Sequence, residues 1–126
     1  MQEVIHSYKN LIVWQKSIEL VTIIYELTDE FPREEIFGLT SQIRRAAISI
    51  PSNIAEGRNR GTRADYTHFL RMSYGSGAEL ETQIEISKKL LKTKTLNYNK
   101  VDGSLNEVMK MLNVMINKLQ AKKLTS

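Results

Sequence analysis

The chain has 126 residues, of which 41% are hydrophobic and 25% charged, with no cysteine and a formal net charge of +4. This length suits one hydrophobic core, and the composition excludes a disordered chain. Without cysteine, a signal peptide or a membrane-spanning apolar run, we expect a cytoplasmic protein with no disulfide, thiolate metal site or membrane contact.

The first predicted helix covers residues 11–30, because apolar side chains recur there at spacings of three and four. Pro32 ends it, since the residue before a proline is pushed out of the α region. Its predicted core face is Leu11, Trp14, Ile18, Val21, Tyr25 and Thr28.

A second helix is predicted over residues 35–57, with the same period in its apolar side chains. Its core face is Leu39, Ile43, Ala47, Ile50 and Ile54. Pro51 lies inside this pattern and lacks the N–H that would bond to the Ala47 carbonyl. The sequence therefore predicts a kink or an interruption near Pro51.

The third helix is predicted over residues 62–94, after a stop signal with a glycine at each end at residues 57–61. Thr62 is its predicted N-cap, with Asp65 in place of the Glu or Gln of a capping box. Gly75 and Gly77 predict a close helix approach or a local bend. Its core face is Tyr66, Phe69, Leu70, Ser73, Gly77, Leu80, Ile84 and Leu91.

The fourth helix is predicted over residues 100–122. Its core face is Val101, Leu105, Val108, Leu112, Met115 and Leu119. Further apolar residues such as Ile86, Leu90 and Val114 fall off the main stripes and either complete a broad core or meet another subunit. The sequence as a whole predicts an all-α, antiparallel up-down-up-down four-helix bundle forming one domain over residues 1–126.

One segment is more specific than a generic amphipathic helix: residues 42–57 read QIRRAAISIPSNIAEG. Residues 11–15 (LIVWQ), 30–32 (EFP), 69–70 (FL), 75–76 (GS) and 79–81 (ELE) complete the pattern. Over residues 8–120 the chain resembles the four-helix-bundle family encoded by intervening sequences in 23S ribosomal RNA genes. Ser73 and Asp65 depart mildly from this family, which commonly has Ala and Glu there.

The resemblance implies a small bundle without known catalytic activity, and we expect no cofactor. The same fold is shared with accessory proteins of diversity-generating retroelements, which form a basic homopentameric barrel and bind nucleic acid together with a reverse transcriptase. We therefore expect a homo-oligomer, pentameric by this analogy. Its expected partners are RNA or DNA and a reverse transcriptase or other nucleoprotein.

Basic side chains form two candidate nucleic-acid surfaces. The first is Arg44, Arg45, Arg58, Arg60, Arg63 and Arg71, and the second is Lys88, Lys89 and Lys92 with Lys94, Lys118, Lys122 and Lys123. Guanidinium groups pair well with phosphates, and without a base-reading motif the binding would be non-specific and electrostatic. Ion pairs with nearby acids or simple solvation would explain the same residues, and a protein-protein scaffold is the alternative function.

The Pro51 segment, with Asn53, Glu56 and Gly57, is predicted to be architectural, with Ser49, Ser52 or Asn53 satisfying groups that the proline leaves open. A di-metal carboxylate bundle is the rival from another class, on the strength of Glu3-x-x-His6 and Asp65-x-x-His68. Because His68 lies off the main apolar stripe and Asp65 is explained by capping, we predict no metal and no catalytic residue.

Overall fold

The structure is a computed structural model that describes the backbone of residues 7–125 and the side chains of residues 7–121. Its helices are α1 (Ile12–Thr28), α2 (Leu39–Arg60), α3 (Arg63–Lys89) and α4 (Asn99–Thr125). Short 3-10 turns at Tyr8–Asn10 and Arg33–Glu35 precede α1 and α2. The predicted all-α four-helix class is confirmed. None of the helices in the described part of the chain has the length and apolarity to cross a membrane.

The helix ends differ from the predicted ones where short turns intervene. α2 begins at Leu39 and not at residue 35, because the 3-10 turn at Arg33–Glu35 is separate and the Gly38 backbone is not helical. At its other end α2 continues past residue 57, and Gly61 ends it with a φ of 87°, a conformation that glycine adopts at little cost. α3 ends at Lys89 because the next residue is extended.

Pro51 lies within α2, which is one helix from Leu39 to Arg60, so the predicted interruption is absent. Side chains satisfy the carbonyl groups around the proline. Ser52 Oγ donates to the Ile48 carbonyl at 2.9 Å, and Asn53 Nδ2 donates to the Ser49 carbonyl at 2.9 Å. From α3, Ser73 Oγ donates to the Ile50 carbonyl at 2.9 Å. The carbonyls that accept these bonds are those of Ile48, Ser49 and Ile50, whereas the carbonyl that Pro51 leaves without its N–H donor is that of Ala47, so the architectural role of this segment stays a prediction.

The most buried face of α1 differs from the predicted one: of the predicted residues Thr28 is buried, and Leu11, Trp14 and Val21 are partly buried against the core. Its buried residues are Val13, Ser17, Leu20, Ile24, Leu27 and Thr28. The predicted stripe is rotated by about 100°, the angle of one residue, so that Ile18 is 37% exposed. Ser17 hides the true stripe from a hydrophobic pattern, because its hydroxyl enters the core by donating to the Trp14 carbonyl of its own helix.

The other predicted core faces are largely buried. α2 buries Ile43, Ala47, Ile50 and Ile54, while α3 buries Leu70, Ser73, Gly77, Leu80 and Ile84. In α4, Val101, Leu105, Val108 and Leu112 are buried. Leu91 is a wrong prediction: it is 78% exposed, because α3 has already ended and the chain turns away from the core.

Glycines set the distance between neighbouring helices. A Cβ added at Gly57 would lie 2.6 Å from the Phe69 Cβ of α3, and one at Gly77 would overlap the Met109 side chain of α4. Farther from the α2–α3 turn, the Ser49 and Ser76 hydroxyls are 2.8 Å apart. Higher residue numbers on α3 therefore meet lower residue numbers on α2, which is the pattern of an antiparallel pair. Gly77 confirms the predicted close approach.

Replacing Gly57 by Ala should lower the free energy of unfolding by about 1–3 kcal/mol, because the new methyl group would push α3 away from α2. Gly103→Ala is the matched control: nothing lies within 4 Å of its added Cβ. That control should raise the free energy of unfolding by about 0.5–1 kcal/mol through helix propensity. Urea denaturation followed by circular dichroism measures both, and a Gly57→Ala protein as stable as wild type would contradict the close packing.

Candidate nucleic-acid interface

The basic residues lie at two opposite ends of the helices. We call the end with the α2–α3 turn, residues 61–62, the turn end. The loops at residues 29–38 and 90–98 meet at the other end, the loop end, where Lys92 forms an ion pair with Glu34. Arg44 and Arg58 are 14 residues apart on α2, or about 21 Å along the helix. The predicted arginines therefore do not form a single patch.

At the loop end, Arg44 is held by its neighbours. Its guanidinium donates to Asp29 Oδ1 at 3.0 Å and to Thr28 Oγ1 at 2.8 Å. The same group lies over the Tyr25 ring, 4.3 Å from its centroid, and the side chain is only 24% exposed. These contacts tie the start of α2 to the end of α1, so Arg44 has little capacity left for a phosphate.

Two of the seven lysines of the predicted second surface, Lys88 and Lys92, also pair with acids. Lys88 Nζ lies 2.8 Å from Asp102 Oδ2 and 3.2 Å from Glu85 Oε2. Its hydrogen bond to Asp102 raises the pKa of Lys88, and the hydrogen bond to Glu34 does the same for the pKa of Lys92. Lys89 is exposed and, within residues 7–121, has no ion pair. Lys122 and Lys123 lie outside the described side chains.

The turn end carries the less compensated arginines. Arg60 pairs with Glu56 at 3.0 Å and lies 4.9 Å from the centroid of the Phe69 ring. Arg58, Arg63 and Arg71 have no carboxylate within 4.0 Å among the side chains that the structure describes. Three positive charges therefore lie at or near one end of the bundle without an acidic partner in the described chain.

Arg58 is the most enclosed of the three. Its guanidinium lies 5.8 Å from the centroid of the Tyr66 ring, and its buried Nε has no hydrogen-bond partner in the described residues. Burial raises the pKa of Tyr66, while the charge of Arg58 acts in the opposite direction. A pocket of about 260 Å³ opens beside this pair. Its lining is Gly57, Arg58, Gly61, Thr62, Arg63, Tyr66 and Leu119.

A second pocket adds residues that the sequence did not single out for nucleic-acid contact. It has a volume of about 230 Å³ and is lined by Ala64, Thr67, His68, Arg71 and Gln120. The α3 members recur at spacings of three and four, a signal of one helix face. No local pattern connects Gln120 with them, because α4 reaches this end only through the folding of the whole chain.

The local structure at the start of α3 agrees with the predicted capping. Thr62 Oγ1 accepts a hydrogen bond from the Asp65 amide at 3.1 Å, which confirms Thr62 as the N-cap. The described residues contain no group of three His, Cys, Asp or Glu side chains that could hold a metal ion. Glu3 and His6, which form the other carboxylate-x-x-His pair, lie outside the described residues.

Comparison with known proteins identifies a family. A family model described as 23S rRNA-intervening sequence protein matches residues 9–114. A comparison with curated proteins gives no significant match. The matched range includes α1, α2, α3 and the first part of α4, and with them all the arginines of both ends.

Replacing Arg44 by Gln should lower the free energy of unfolding by about 1–2 kcal/mol, since it removes an ion pair and a cation–π contact from a half-buried site. Arg45→Gln, at the exposed neighbouring position, should change it by less than about 0.5 kcal/mol. Thermal unfolding of both variants gives the comparison. Equal stabilities would show that the Arg44 contacts contribute nothing to the fold.

Proposed function

Because the chain belongs to the 23S rRNA-intervening sequence protein family, we propose that it is a non-enzymatic, oligomeric protein that binds RNA or DNA through the turn end. The supporting observation is the set of three arginines, Arg58, Arg63 and Arg71, without an acidic partner in the described chain. One guanidinium group can bind two oxygens of a phosphate at once. An arginine without an acidic partner does not have to break an ion pair before it binds a phosphate.

The proposed binding is electrostatic and independent of sequence. Each phosphate that an arginine neutralises releases counterions, so affinity falls steeply as salt rises. Arg63 and Arg71 are eight residues apart on α3, which is about 12 Å along the helix, so they meet different phosphates. This geometry suits contact with a backbone and not with a single free anion. We place this role in the cytoplasm, as the cysteine-free composition suggests.

A groove between α1 and α2 supports self-association. It has a volume of about 300 Å³ and is lined mostly by apolar residues: Tyr8, Trp14, Ile18, Val21, Ile48, Pro51, Ser52 and Ala55. Ile18 and Ile48 are 37% and 42% exposed. A partner that covers exposed apolar surface of this kind lowers the free energy by removing that surface from water.

The proposed occupant of this groove is a second copy of the chain. Each copy also exposes Met72 and Ile86 on α3 and Leu90 directly after it, on a different part of the bundle from this groove. One copy therefore offers two different apolar surfaces, the requirement for a head-to-tail contact that can close into a ring. Five copies is the number that the resemblance to retroelement accessory proteins suggests. Such a ring would present several turn ends to one nucleic acid and raise the overall affinity.

The nucleic-acid proposal is tested by fluorescence anisotropy with random-sequence RNA and random-sequence duplex DNA across a salt series. The triple variant Arg58→Gln, Arg63→Gln, Arg71→Gln should bind at least about tenfold more weakly, with a salt slope smaller by about 2–3, because three phosphate contacts are lost. The matched control removes three other cations: Arg45→Gln, Lys89→Gln, Lys94→Gln. It should retain most of the affinity.

Two results would overturn this proposal. Wild-type protein that binds neither nucleic acid at low salt would favour the protein-protein scaffold. Loss of affinity in the control variant and not in the turn-end variant would move the binding surface to the loop end.

Self-association is tested by light scattering. Wild-type protein should have a mass several times the 14.5 kDa of one chain. The double variant Ile18→Asp, Ile48→Asp should shift to the mass of a single chain, because two carboxylates would be buried without partners at the contact. Val114→Asp, at an exposed apolar position outside the groove, should leave the mass unchanged. A wild-type protein of 14.5 kDa at micromolar concentration would exclude the oligomer.

A further inference from the structure

We propose that the groove between α3 and α4, in its half nearer the turn end, holds a single-stranded stretch of nucleic acid, with the Tyr74 ring stacked on one base. This inference rests on the proposed function and specifies which form of nucleic acid the turn-end surface prefers.

The wall on α4 is identified by its contacts with α3. Asp102 binds Lys88, Met109 packs against Gly77, and Gln120 lines a pocket with Arg71. Residues at spacings of three and four between these positions lie on the same edge of the helix. Asn113 and Asn117 are such residues, and both are exposed. The amides of this edge can donate to and accept from the edges of bases.

Charge divides the groove into two halves. Near the loop end its lining includes Glu81, Glu85 and Asp102. Near the turn end its lining includes His68, Arg71 and Gln120, with no carboxylate in that pocket. A phosphate backbone is repelled by the first half and attracted by the second. The α3 lining of the favourable half runs from Ala64 to Arg71, which is about 10 Å along the helix.

The width of the groove favours one strand over two. Packed helices lie about 8–10 Å apart, so the groove between them is shallow and narrow, and a duplex would touch only its rims. A single strand can lie within it with its bases turned toward the protein.

Tyr74 is the aromatic side chain available for stacking. Its side chain is 37% exposed and lies one helical turn beyond Arg71, so a phosphate contact and a stacked base would be neighbours. The other tyrosines of this part of the sequence are occupied. Tyr66 lies beside Arg58, and the buried Tyr98 donates its hydroxyl to the Thr93 carbonyl at 2.8 Å. Stacking is tolerant of sequence, as the proposed function requires.

The test compares a fluorescent single strand of about ten nucleotides with its duplex, as RNA and as DNA, by anisotropy. Wild-type protein should bind the single strand more tightly than the duplex. Tyr74→Ala should weaken single-strand binding by about tenfold, the loss of one stacked base, with duplex binding unchanged. Tyr74→Phe should retain wild-type affinity, since its ring still stacks. Thr82→Ala, at an exposed position of α3 that lines neither pocket of the groove, is the matched control and should also bind normally.

The outcomes separate this inference from the proposed function. Unchanged single-strand affinity in Tyr74→Ala, or tighter binding of the duplex by wild-type protein, would overturn the groove while the turn-end arginine variant still weakens binding. Loss of affinity in Tyr74→Ala and Tyr74→Phe alike would exclude stacking. Wild-type protein that binds no nucleic acid would overturn both proposals. Circular dichroism of each variant verifies that the helices are intact.

Discussion

The packing of α2 against α3 is the contact on which the rest of the molecule depends. The two helices are joined by Gly61 and Thr62 alone, and the bare backbone of Gly57 lets Phe69 approach closely. Farther along, the Ser73 hydroxyl donates to the Ile50 carbonyl, which links α3 to α2 next to the proline. Because the two helices pack closely and a two-residue turn joins them, the arginines near this turn are held at one end of the bundle.

Neighbouring acids, more than the number of basic residues, determine which cations are available to a ligand. Arg44 and Arg58 lie on the same helix, yet Arg44 is bound by Asp29 and Thr28, whereas no carboxylate among the described residues reaches Arg58. A phosphate that approached Arg44 would have to displace an ion pair that also stabilises the fold. At the turn end that cost is absent, and the proposed binding surface follows from the difference.

The proposed surfaces for nucleic acid and for self-association lie on different parts of the bundle. The apolar groove around Ile18 and Ile48 lies between α1 and α2, while the groove that contains Arg71 and Gln120 lies between α3 and α4. A second copy bound in the groove between α1 and α2 would therefore leave the groove between α3 and α4 of the same chain open. A single small domain can in this way bind weakly as one copy and tightly as a ring.

Apolar spacing by itself determined that the chain forms four helices, because a helical period is a local property of neighbouring residues. Thr62 as a cap was equally accessible, since its hydroxyl and the amide that it binds are three residues apart. Tertiary structure alone decided the buried face of α1: Trp14 and Leu20 both carry large apolar side chains, yet Leu20 is the more buried, and Ser17 enters the core by bonding to its own helix. It also decided which arginines have an acidic partner. Arg44 meets Asp29, and Arg71 meets the uncharged Gln120, only when the helices pack, because the two members of each pair are distant in sequence.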